Sequence, residues 1–157
     1  MAKTNAIGID ARKATNVAAE LNELLANYEV FYQNLRGFHW NIRGEKFFEL
    51  HAKFEELYLN IQVKIDEVAE RILTLGATPA HTFASFQEIS SVKPAENIKE
   101  GKRAVQRILS GFTSILLLQR ELLELTNESG DIGTNTMMAN YITEQEKIVW
   151  MYTAYIG

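Results

Sequence analysis

The chain has 157 residues, 46% hydrophobic and 23% charged, which at this length supports one globular domain with a substantial core. A formal net charge of −4 and a pI near 5.4 exclude a broad basic face for neutralising nucleic-acid phosphates, although a small basic patch is compatible with them. No apolar run reaches the roughly 18 residues a membrane span requires, and the first residues lack a secretory apolar stretch, so a soluble, cytoplasmic protein is expected. The absence of cysteine removes disulfides, thiolate zinc sites and cysteine nucleophiles together, leaving imidazole and carboxylate as the available metal donors.

In chain order, residues 1–9 read as a short N-terminal tail, and Asp10 as the cap of a first helix. From Val17 the apolar positions Val17, Leu21, Leu24, Tyr28, Phe31 and Leu35 recur at steps of three and four, the stripe of an amphipathic helix A. A second stripe, Leu50, Phe54, Leu57, Ile61, Ile65, Val68, Ile72 and Leu75, opens after Gly44 and closes at Gly76, defining helix B. Phe83, Phe86 and Ile89, between Pro79 and Pro94, predict a short helix within a long connection of the kind that joins parallel partners. Helix C is expected to begin near Pro94 and to run through Ile98, Val105, Ile108, Phe112, Ile115, Leu122 and Leu125. Its segment Ile115 to Leu118 is apolar all round, which suggests an additional partner surface. Asn127 to Thr136 reads as a polar turn, and Met138, Tyr141, Ile142, Ile148, Val149 and Tyr152 form a fourth stripe. The expectation is one all-α domain over residues 1–157: a ferritin-like four-helix bundle with a short extra helix between helices B and C.

The residues able to do chemistry concentrate around helix B. His51 and Glu55 are four apart, as are Asp66 and Glu70, so each pair projects from one helix face, one turn apart. His39 lies across the break from His51. Carboxylate oxygens mixed with imidazole suit Fe(II) and Fe(III). His51 and Asp66 lie about 22 Å apart along one helix at 1.5 Å per residue, so they cannot ligate the same ion within one chain. If two B helices pack antiparallel about a two-fold axis, the His39, His51 and Glu55 set of one chain meets the Asp66 and Glu70 set of the other, twice per dimer. A centre inside a single bundle needs Glu-x-x-His motifs on facing helices, and the sequence contains none.

Several segments together resemble the Dps family over nearly the whole chain. They are His39-Trp40-Asn41, His51 twelve residues later, Asp66-Glu67-Val68-Ala69-Glu70-Arg71-Ile72, the short helix around Phe83 to Ile89, and Glu146-Lys147 followed by Trp150-Met151. The resemblance implies a dodecameric hollow shell with ferroxidase centres at its two-fold interfaces, which usually consume hydrogen peroxide and so protect against oxidative stress. Iron is the implied metal, stored as ferric mineral, and no organic cofactor is implied. By position His39, His51, Asp66 and Glu70 match the family's ligands; Glu55 stands where the family more often has aspartate. The turn from Glu128 to Thr136 resembles the lining of the family's iron-entry pores, with Asp131 and Glu146 as candidate pore carboxylates.

Other residues read more simply. His81 is a loop residue without a carboxylate partner at helical spacing, Glu56 and Glu67 are structural, and packing accounts for Trp150. Trp40 suits either packing or the uptake of a radical equivalent beside an oxidising centre. DNA binding is not favoured, because the residues before Asp10 carry only Lys3. The leading expectation is therefore a ferroxidase using hydrogen peroxide or oxygen. The alternative is a non-catalytic DNA-protecting or structural shell whose cluster binds zinc or serves only the interface.

Overall fold

The computed structural model describes residues 3–157, which form five helices: α1 (Ala11–Asn41), α2 (Phe47–Thr74), α3 (Phe83–Ile89), α4 (Gly101–Ser129) and α5 (Ile132–Ile156). Asp10 opens α1 as anticipated, its Oδ1 accepting from the backbone N–H groups of Arg12 and Lys13 at 3.0 and 3.1 Å. A cap of this kind contributes about 1 kcal/mol. The predicted stripe Val17, Leu21, Leu24, Tyr28, Phe31 and Leu35 is buried throughout, and Ile61, Val68 and Ile72 of α2 and Ile108, Phe112 and Ile115 of α4 meet it in the core.

The pairings give the topology. Along α1 and α4, Phe31 packs edge-on against Phe112 with ring centroids 4.9 Å apart, while Tyr28 reaches Gln119, so the two helices run antiparallel. Along α2 and α5, Arg71 meets Asp131 and Lys64 meets Glu144, again antiparallel. With α1 and α2 joined by a short turn, α2 and α4 are then parallel, as the long crossover requires. Close approach of α1 to α4 depends on Gly111, where a Cβ would lie 2.7 Å from the Phe31 ring.

The crossover is nailed to α1 by two asparagines, seven residues and so two turns apart. Buried Asn27 accepts at Oδ1 from the backbone of Ser91 and Val92 and from the hydroxyls of Ser90 and Ser91. Asn34 donates to the Lys93 carbonyl and accepts from Ala95 N–H, both at 2.9 Å. These bonds hold residues 90–95 against α1, and Arg43 N–H reaches the Lys99 carbonyl at 2.9 Å, so helix C starts at Gly101 and not near Pro94.

Two further expectations change. The polar turn foreseen over Asn127 to Thr136 is only Gly130 and Asp131: Gly130 ends α4 in the left-handed conformation at φ 71°, and Asp131 caps α5. Residues 3–9 do not trail as a tail. Asn5 accepts from the Ile7 and Ile9 N–H groups and donates to the Leu75 carbonyl, which folds the segment onto the end of α2. Met1 and Ala2 of the expected tail lie outside the described residues. Among the described residues, no helix is long and apolar enough to cross a membrane.

Candidate metal centre

The short turn between α1 and α2 brings His39, in the last turn of α1, beside His51, in the second turn of α2. Their rings stack 11° from parallel with centroids 3.8 Å apart. His39 Nδ1 donates to the backbone carbonyl of His51, and His51 Nδ1 donates to the carbonyl of His39, each at 2.7 Å. A carbonyl can only accept, so both Nδ1 atoms carry the proton, and in the neutral ring each Nε2 keeps its lone pair. Neither Nε2 has a protein partner, and among the described residues no buried side-chain nitrogen or oxygen lacks one, so both Nε2 atoms reach the surface.

Aromatic rings hold the pair. Phe47 stacks on His51 at 4.9 Å and Tyr58 packs edge-on against His39 at 5.4 Å. Sequence reading missed both, although Phe47, His51 and Tyr58 stand at steps of four and seven on one face of α2. Glu55 lies one turn beyond His51 and is exposed; Asp66 and Glu70 are exposed on the same outer side of α2, near its other end. Leu59 and Val63 lie between the two sets, 48% and 58% exposed. Among the described residues, no group of three or more His, Asp or Glu side chains converges within one chain.

The middle of the bundle is differently built. Tyr28 donates to Gln119 Oε1, Gln119 Nε2 to Gln145 Oε1 at 2.7 Å, and Gln145 Nε2 back to the Tyr28 hydroxyl at 2.7 Å. All three side chains are fully buried, and each uses the others in a closed cycle without a carboxylate. Beside them Tyr141 donates to Glu67, which makes Glu67 structural as expected, and burial together with that contact pushes the Tyr141 phenol well above its ordinary range. Glu56 pairs with Lys53 at 3.0 Å on the surface.

Asp131, expected as a pore carboxylate, is not a free surface acid within the chain. Its side chain is 1% exposed, and its oxygens accept from the Arg71 guanidinium at 2.7 Å and from the backbone and hydroxyl of Thr134 at 3.0 and 2.5 Å. With both oxygens occupied, it is the cap of α5 and an anchor to α2. Glu146 is exposed and pairs with Arg120 at 3.0 Å. Trp150 is 64% exposed, so packing within the chain does not account for it; Trp40 is also exposed, with the Arg36 guanidinium 4.8 Å from its ring centroid. Of the all-apolar run Ile115 to Leu118, only Leu117 faces outward, the others being absorbed by the core. His81 is an exposed loop residue.

Comparison with known proteins agrees with this architecture. Residues 18–157 match the ferritin family, described as a ferritin-like domain. A DNA protection during starvation protein of Porphyromonas gingivalis is 38% identical over 148 residues, 94% of this chain and 93% of that one. The crystal structure of a Dps protein from Vibrio cholerae O1, described as a member of a broad superfamily of ferritin-like diiron-carboxylate proteins, is 51% identical with a TM-score of 0.98, covering 100% of this chain and 98% of its own. The chain belongs to the Dps family. Dps from Staphylococcus aureus is also similar, at 36% identity and a TM-score of 0.88 over 91% of this chain and 96% of that one. In this Dps chain the two imidazoles are held together by reciprocal hydrogen bonds, while Asp66 and Glu70 stand near the far end of the same helix.

Proposed function

We propose that this chain is the subunit of a ferroxidase and iron-storage shell in which each oxidation centre is shared by two chains. The observation that carries the reading is the reciprocal hydrogen bonding of His39 and His51, which fixes both rings in one tautomer and leaves two Nε2 donors free at the surface. Glu55 supplies a carboxylate one turn away, and Asp66 and Glu70 of a second chain complete the donor set. Pairing His51 with Glu70 and Glu55 with Asp66 across antiparallel α2 helices puts the two-fold axis at the level of Asn60 and Ile61, where Leu59 and Val63 are exposed. Apolar side chains at the axis and polar sets on either side are the core and rim that a stable interface requires.

Fe(II) is the substrate. Each ion gives up one electron; hydrogen peroxide accepts two and, with two protons, leaves as two waters, so two Fe(II) are consumed per peroxide. Oxygen is the other available acceptor. Carboxylates stabilise the ferric product more than the ferrous ion because their charge is matched to it. Large apolar side chains exposed in the single chain, Phe48 at 83% and Phe83 at 86% among them, favour an assembled state, for which we infer a dodecameric shell in the cytoplasm with ferric mineral inside.

The test is anaerobic Fe(II) loading followed by peroxide, with ferric absorbance recorded for the wild type and a His39→Ala, His51→Ala double variant while light scattering follows assembly. Fast oxidation lost in an equally assembled variant is the expected result. Equal, slow rates in both would sink the ferroxidase reading and favour a DNA-protecting shell, the role carried in the name of the Porphyromonas gingivalis relative.

A further inference from the structure

A second polar feature lies away from α2, where the crossover passes over α1 and α4. A cavity of about 160 Å³ opens there, lined by Asn34, Ser91, Lys93, Arg107, Ser110 and Ser114 together with Val92 and Gly111. None of these is a carboxylate. The lining offers an ammonium, a guanidinium and the Ser110 hydroxyl as hydrogen-bond donors, the Ser91 hydroxyl being committed to Asn27 Oδ1 and the Ser114 hydroxyl to the Ser110 carbonyl, in a chain whose net charge is −4. At about 30 Å³ per water the volume holds roughly five waters, ample for one tetrahedral oxyanion.

The walls are fixed before any ligand arrives. Asn34 Nδ2 holds the Lys93 carbonyl and Asn34 Oδ1 holds Ala95 N–H, while Asn27 clamps Ser91 and Val92, so the backbone carrying Lys93 cannot drift from α1. On the opposite wall Arg107, Ser110 and Ser114 stand at steps of three and four along one face of α4. Neither Lys93 nor Arg107 takes part in any of the five ion pairs of the described residues. The nearby sequence is basic on balance: from Lys93 to Arg107 the cations Lys93, Lys99, Lys102, Arg103 and Arg107 outnumber the acids Glu96 and Glu100.

We infer that this cavity binds inorganic phosphate, with the Arg107 guanidinium and the Lys93 ammonium facing its oxygens from opposite walls and the Ser110 hydroxyl donating between them. Arginine forms two parallel hydrogen bonds to such an oxyanion, and lysine adds a compact charge. The inference is independent of the iron chemistry, since no cavity residue belongs to the His39 and His51 centre.

Isothermal titration calorimetry of the assembled, iron-free protein with inorganic phosphate at constant ionic strength tests it. The wild type should bind one phosphate per chain, and Arg107→Gln and Lys93→Gln should each weaken binding by about ten- to a hundredfold, the loss expected for one charge-assisted hydrogen bond. Lys102→Gln, which removes an exposed cation outside the cavity, should leave the affinity within about twofold. Both cavity cations are exposed, so circular dichroism should find the variants folded. Absence of saturable phosphate binding, or equal affinity in the wild type and the Arg107→Gln and Lys93→Gln variants, would overturn the assignment. So would Arg107-dependent binding of a short DNA duplex without binding of free phosphate, which would make the cavity a contact for a phosphodiester backbone.

Discussion

Sharing a centre across a two-fold axis has an arithmetic consequence that a one-chain centre lacks. In a dimer of two His51→Ala chains both centres lack an imidazole, and in a dimer of two Asp66→Ala chains both lack a carboxylate. When the two variants pair with each other, one centre loses both groups and the other regains both. Random pairing at equal concentration makes half of the dimers mixed, so about one quarter of all centres should be intact. Initial rates of peroxide-driven Fe(II) oxidation should therefore rise from near background in each variant alone to about a quarter of the wild-type rate after dissociation and reassembly. Native mass spectrometry with one isotopically labelled variant verifies that mixing has occurred. The converse mixture is equally diagnostic: wild type with a His51→Ala, Asp66→Ala double variant yields no intact centre in mixed dimers, leaving about a quarter of the centres instead of half. Verified mixing with no recovery in the first experiment, or retention of half the activity in the second, would refute the shared-centre geometry.

Other outcomes follow from the packing. Asp131→Ala removes the α5 cap and leaves the Arg71 guanidinium without its partner; it should cost about 3 kcal/mol in urea unfolding, against no measurable loss for exposed Glu146→Ala. Tyr28→Phe opens the buried cycle and strands polar atoms of Gln119 and Gln145, which should lower stability by about 1–3 kcal/mol; an unchanged unfolding midpoint would contradict that cycle. Burial would raise the Glu144 carboxyl, but hydrogen bonds from Lys64 and Asn60 and the Lys64 charge outweigh it and hold the pKa below the ordinary 4.5. Its contribution is therefore full above the unfolded value and lost as pH falls through the folded one, so unfolding midpoints of the wild type and Glu144→Gln should converge below about pH 4.5; a gap independent of pH would contradict the pairing.

The helices were readable where apolar period and capping chemistry act within a few residues, as with Asp10 and the stripe from Val17 to Leu35. Misreadings arose where a polar residue serves a distant partner. Pro94 has the chemistry of a first-turn residue, yet the crossover stays extended because Asn27 and Asn34 bond it to α1, some sixty positions away in the chain. Asn135 falls in what read as a polar turn, but its amide donates to the Leu123 carbonyl and the Thr126 hydroxyl, tying α5 to the end of α4. Asp131 looked like a solvent-facing acid for the same reason: its partner, Arg71, is sixty residues upstream. Residue type alone does not distinguish a solvated carboxylate from one neutralised by a remote guanidinium.

The candidate centre was legible to a different degree in each half. For Asp66 and Glu70 the spacing sufficed, because one turn of helix guarantees a common face. For His39 and His51 the spacing of twelve residues spans a turn whose shape the sequence does not dictate, and only the fold reveals that each ring donates to the other residue's carbonyl. That reciprocity constrains the chemistry more than proximity does. A histidine whose Nδ1 is committed to a carbonyl cannot turn its ring without breaking a hydrogen bond, and here turning either ring also disrupts the stacked partner. The two imidazoles therefore behave as a rigid unit, while Glu55, Asp66 and Glu70 remain exposed and free to adjust. In the proposed shared centre, a rigid imidazole pair facing adaptable carboxylates would accept Fe(II), tolerate its change to Fe(III), and then release it.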